Sequence, residues 1–163
     1  MRQMIFLIAF VHILAACAGP ATTPDEFKSL ASNSSVAKAE HFPVKKGTLN
    51  DAQNRFAEFS ERCLNVQLVM QHCGTFSCGQ PHAYAGYIPK LIREPGVVRL
   101  TLQRHENAKV MLGPNDFYIM VAEVEQTNEG LQGHVYAPKI GYGDLFGSTK
   151  GWTSGEDKTC PGL

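Results

Sequence analysis

The sequence predicts an α+β domain, a small antiparallel sheet of about four strands with an N-terminal and a short C-terminal helix packed on one face and disulfides stapling it. Three observations carry this expectation. Apolar residues recur at helical spacing between Leu49 and Cys63, alternation at period two follows in several later stretches, and cysteines stand at positions 63, 73, 78 and 160.

The first element is the helix. Leu49, Ala52, Phe56, Phe59 and Cys63 fall on one face at spacings of three and four. Thr48 is placed to cap it, with Asp51 completing a shortened capping box and facing the positive end of the helix dipole. Val66, Leu68 and Met70 then alternate with Gln67 and Gln71, and Val98, Leu100 and Leu102 alternate with Arg99, Thr101 and Gln103. Both stretches read as half-buried strands. Phe117 to Val124 is apolar on both faces until the acidic residues at 123 and 125, which predicts a central strand. "TNEG", Thr127 to Gly130, turns the chain into Leu131 to Ala137, completing a hairpin. Asp144 to Gly155 predicts a last helix with Leu145, Thr149 and Trp152 on one face, although Gly147 and Gly151 interrupt it.

Charge narrows the function classes. The chain has 163 residues, with 15 Lys/Arg against 15 Asp/Glu, a formal net charge of zero. These charges are scattered, so neither a nucleic-acid partner nor an electrostatically held membrane surface is expected, since both need a concentrated basic patch. One small folded domain is the expected size class.

The N-terminus is a targeting segment. Arg2 supplies a positive charge, Met4 to Ala16 form an apolar run, and Ala15 and Ala16 are small enough for a peptidase cleft. A membrane-spanning helix needs about 20 apolar residues, and this run ends at Cys17, ahead of Gly19 and Pro20. Leu14-Ala15-Ala16-Cys17 resembles the bacterial lipoprotein box, in which a leucine and two small residues precede an invariant cysteine. The resemblance implies that residues 1–16 are a signal peptide and that Cys17 receives a diacylglyceryl group, with its new amino terminus acylated as well, for instance with palmitate. Two or three such chains make a stable anchor where one is marginal. An ordinary signal peptide cleaved after Ala16 or Ala18 is the plainer alternative. By analogy with lipoproteins of enteric bacteria, Ala18 in place of Asp implies sorting to the outer membrane, facing the periplasm.

Residues 17–47 comprise this cysteine and a segment rich in Ala, Ser, Thr and Pro, which reads as a flexible tether, with a short helix seeded by Phe27 and Leu30 as the alternative. The globular domain is then expected over residues 48–163.

Assigning Cys17 to lipid leaves an even set of thiols in an exported chain, where bridging is the default. Cys63 with Cys160 is the favoured pair because Cys63 faces the core and the tail needs pinning, and Cys73 with Cys78 would close a small loop. Crossed pairings stay open. The rival reading is a zinc site, catalytic or structural, from His72, Cys73, Cys78 and His82. Against it, the histidines directly flank the thiols, and exported thiols oxidise. Neither a metal nor any other cofactor is expected. "GTFSCG", Gly74 to Gly79, departs from a nucleophile elbow by one extra residue before Ser77.

"PHAYAGYIPKLI", Pro81 to Ile92, reads as a long irregular loop whose Tyr84, Tyr87, Ile88 and Leu91 are candidate partner contacts, with Tyr142 in "KIGYGDLFG" as a fifth. The plainer alternative is a loop folded over the open end of the sheet. The functional expectation is a non-enzymatic, membrane-anchored envelope lipoprotein with a binding or accessory role toward another envelope protein or a cell-wall component. The zinc-binding or enzymatic reading and a carrier of small apolar ligands are the alternatives.

Overall fold

The computed structural model describes residues 20–70, 75, 82–106 and 116–163. The elements run in the order α1 (Pro24–Asn33), β1 (Ala37–Pro43), α2 (Leu49–Phe59), β2 (Gln67–Met70), β3 (His82–Glu94), β4 (Val97–Glu106), β5 (Asp116–Thr127), β6 (Gly130–Pro138) and α3 (Leu145–Ser154), with a π-helical turn over Ser60–Leu64 after α2. The strands form one antiparallel sheet in the order β1-β6-β5-β4-β3-β2. The α+β class is as expected, but among the described residues the sheet has six strands, not about four.

The two additional strands lie where no regular structure is expected. Residues 24–43, in the presumed tether, are helix α1 and edge strand β1. Thr23 caps α1, its hydroxyl accepting from the Glu26 N–H while the Glu26 carboxylate accepts from the Thr23 N–H. Pro24 suits the first helical position, where an N–H would lack a partner anyway. Phe27 and Ala31 of α1 are buried against Ala37, Val121 and Tyr136. Burying a phenylalanine contributes about 1.5–3 kcal/mol, which helps offset the ordering entropy of a short helix. Regular structure is therefore already present ahead of Thr48, in α1 and β1.

The second is β3, thirteen residues long, which replaces the irregular loop expected over Pro81 to Ile92. Pro89 and Gly86 both lie within this strand. Strand β2 pairs with β3 only between His82 and Gly86, so at Pro89 the strand has one open side, where proline is tolerated.

The predicted helices behave as expected. Thr48 and Asp51 form the reciprocal cap of α2, and Ala52, Phe56 and Phe59 are fully buried. In α3, Leu145, Thr149 and Trp152 are all fully buried. The Asp144 carboxylate accepts from the Gly147 N–H 3.1 Å away, and a side chain at 147 would run into that carboxylate, so the glycine serves the cap. Helices α2 and α3 share one sheet face, their core completed by Leu100, Leu102, Met120 and Val124. The rings of Phe59 and Trp152 stack there at 5.1 Å. Helix α1 lies on the opposite face, so the helices are not all on one side.

Cys63 and Cys160 are disulfide-bonded, with Cα atoms 5.2 Å apart. Among the described residues, no helix is long and apolar enough to cross a membrane.

Candidate functional site

Strand alternation separates the predicted contact residues. Leu91 and Tyr87 point toward the α2/α3 core, Tyr87 only 6% exposed, whereas Ile88 faces the other way and is 48% exposed. Tyr87 and Tyr142 do meet, edge to face with ring centroids 6.3 Å apart, and the Tyr142 hydroxyl accepts from Arg104 Nη1 at 3.4 Å. Among the four whose side chains are described, Ile88 faces away from Tyr87 and Leu91. Cys17, His72, Cys73 and Cys78 lie outside the described residues, as do the side chains of His82 and Tyr84. The Cys73–Cys78 bridge and the proposed zinc cluster fall there too.

The concave feature that stands out is an apolar pocket of about 330 Å³ between α1 and the sheet. It is built by Pro20, Ala21, Phe27, Leu30, Ala31, Ser34, Val36, Ala37, Phe117, Tyr118, Ile119, Pro138 and Tyr142, with no charged side chain among them. Its position follows from the strand ends. The paired stretch of β5 and β6 begins at Val121 and Tyr136, so residues 116–120 of β5 run past the β6 ladder. A register shift between β4 and β5 at Leu102/Gln103 sets Tyr118 opposite Gln103 and Met120 opposite Leu102, leaving Ile119 as the extra residue. The chain entering α1 fills part of the gap: the Tyr118 N–H donates to Ala21 O at 2.9 Å. What remains open is the pocket, and Leu30 and Ala31 form its wall on the helix side.

A polar row crosses the same face one step away. His41, His134, Glu123 and Arg99 are successive register partners on β1, β6, β5 and β4. The Glu123 carboxylate accepts from Arg99 Nε at 2.5 Å and from Lys28 of α1 at 3.2 Å. Burial alone would lower the Lys28 pKa, but its bond to Asp25 and the charge of Glu123 outweigh that and hold it above its ordinary value. His134 contacts His41 ring to ring through their Nδ1 atoms. Burial, and then the neighbouring His41, push the His134 pKa below that of a free imidazole. This row ties α1 to the sheet through the Lys28–Glu123 contact.

A second cleft, of about 420 Å³, lies between the N-terminal end of α2 and the C-terminal end of α3. Several of its charged groups have partners. Arg55 donates to the carbonyls of Trp152 and Thr153, and Lys158 pairs with Glu58 at 2.6 Å. The apolar pocket differs in that its lining carries no charged side chain. Among the described residues no group of three or more His, Cys, Asp or Glu side chains is arranged to hold a metal.

The pocket was within reach of the sequence through one signal, the capping box Thr23-Pro24-Asp25-Glu26 followed by Phe27, Leu30 and Ala31 at helical spacing. Comparison of the chain with family models, with curated proteins and with solved structures gives no match.

Proposed function

We propose that the chain is a membrane-anchored lipoprotein of the bacterial envelope, acylated at Cys17, held in the outer membrane and facing the periplasm. Its role there is binding or accessory, not enzymatic, toward an envelope protein or a cell-wall component. The observation that carries this reading is Leu14-Ala15-Ala16-Cys17 at the end of an apolar run. The Cys63–Cys160 bridge supports it, because such bonds persist in exported proteins and are rare in reducing compartments. With α1 beginning at Pro24, the domain sits close to the anchor instead of at the end of a long tether.

The test is fractionation. Wild-type protein is expected to sediment with outer membranes and to carry the mass of a lipidated Cys17, and the Cys17→Ser variant to move to the soluble fraction. A Cys17→Ser protein that sediments as strongly as wild type overturns the anchoring. Ile88 is the exposed one among the candidate contact residues whose side chains are described. A photo-crosslinker placed at position 88 is expected to capture an envelope component, and capture of none removes that surface from the reading.

A further inference from the structure

We infer that the apolar pocket under α1 is a binding site for one fatty acyl chain, and that its occupant is a chain carried by Cys17 of the same molecule. This rests on the lipoprotein reading and adds to it where the lipid goes.

Proximity is the first argument. Pro20 lines the pocket, and Cys17 precedes it by three residues, at most about 11 Å of extended chain. A chain attached there is presented to the pocket at an effective concentration on the order of millimolar or more, which no free lipid in the periplasm matches. The bond from Tyr118 N–H to Ala21 O adds to this, because it holds Ala21, four residues after Cys17, against β5 at the pocket wall.

Chemistry is the second argument. The walls are Phe27, Leu30, Ala31, Phe117 and Ile119, with no charged group to satisfy. At about 330 Å³ the volume lies at the small end of the range for ligand sites, suited to a slender hydrocarbon and not to a bulky ring system or a polar head. Apolar side chains also gather on the rim. Val36 lines the pocket and is 64% exposed, and Ile140, 77% exposed, follows Lys139, whose N–H donates to Val36 O. An exposed apolar rim around an uncharged pocket is the surface a hydrocarbon crosses on its way in. With one of two or three acyl chains withdrawn, those left in the bilayer still hold the anchor when more than one remains.

The experiment uses the full chain in its own membrane. Cells are fed a palmitate analogue bearing a diazirine and an alkyne, irradiated, and the protein is purified for intact mass and tryptic mapping. The expected product joins the peptide beginning at Cys17 to residues 29–38 or to the peptide carrying Phe117 to Ile119. Its yield is expected to fall at least tenfold in Leu30→Glu and in Ser34→Phe, the second variant filling the pocket from its rim, with lipidation of Cys17 unchanged in both. Adducts on the same peptides with the mass of a whole phospholipid assign the pocket to bilayer lipid and overturn the inference. A lipidated protein with no adduct at the pocket also overturns it while leaving the lipoprotein reading intact. An intact mass without lipid at Cys17 sinks both.

Discussion

The ring of Phe42 on β1 lies across Gly133 on β6, its register partner, so closely that a Cβ at position 133 would stand 2.6 Å from Phe42 Cε2. The absence of a side chain on β6 is what lets the edge strand cover the sheet there with an aromatic ring. Gly133→Ala is therefore expected to destabilise the domain by about 1–3 kcal/mol through overpacking. Adding Phe42→Leu to Gly133→Ala should recover part of that loss. Urea unfolding of the single and double variants measures the coupling, and strictly additive effects would show that the ring and the glycine are independent.

Removal of the Cys63–Cys160 bridge is expected to be more costly. The bond closes a loop of 97 residues. In the chain-entropy account a loop of that size is worth about 4–5 kcal/mol. The Cys63→Ala/Cys160→Ala double variant should unfold at a clearly lower urea concentration than wild type. An unchanged midpoint would mean that the tail is held by its non-covalent contacts alone.

Trp152 is the single tryptophan, fully buried and stacked on Phe59. Phe59→Ala should cost about 3–5 kcal/mol, the range for deleting a buried aromatic side chain. The same variant should shift the native tryptophan emission to longer wavelength as water approaches the indole. Loss of stability without a spectral shift would show that the cavity collapses around Trp152.

Stability should depend on pH through His134, whose pKa in the folded chain lies below the 6.5 of a free imidazole. The unfolded chain then binds the proton more readily, so this contribution is whole above the unfolded value and is lost as pH falls through the folded one. The groups facing His134 are His41, Glu123, Glu125, Lys28 and Tyr136. Unfolding midpoints at pH 5, 6 and 7.5 should decline with falling pH in wild type and decline less in His134→Gln. Equal slopes in the two proteins would remove His134 as the source.

The elements legible in the sequence are those whose pattern is both local and apolar. Helix α2 announced itself by its spacing and its cap, and β5 by its run of apolar residues on both faces. Strand β1 is different, because Ala37 and Ala39 meet α1 with small side chains while Lys38 and Glu40 occupy the alternate positions, a pattern close to that of a solvated linker. Its order comes from β6 and α1, distant partners that a local window does not contain. Strand β3 contains two residues that favour turns: Pro89 is tolerated because β4 alone lies alongside it, whereas Gly86 pairs with both Gln67 and His105. The pocket was hidden for the same reason as β1: Leu30 and Phe117 share a wall only because α1 folds back on β5.

The Cys63–Cys160 bond also divides the molecule mechanically. Everything from β2 through α3 lies inside a covalent ring, whereas α1, β1 and α2 lie outside it, on the N-terminal side. A force applied at the N-terminus first meets the Ala21–Tyr118 bond and the Lys28–Glu123 contact, through which α1 is held to the ring. Strand β1, at the sheet edge with β6 as its one strand neighbour among the described residues, would peel away pair by pair from Ala37 and Pro138 onward. Extension of the backbone under load is then limited to the residues ahead of Cys63 and those beyond Cys160, and the chain between them is shielded by its own sulfur bridge.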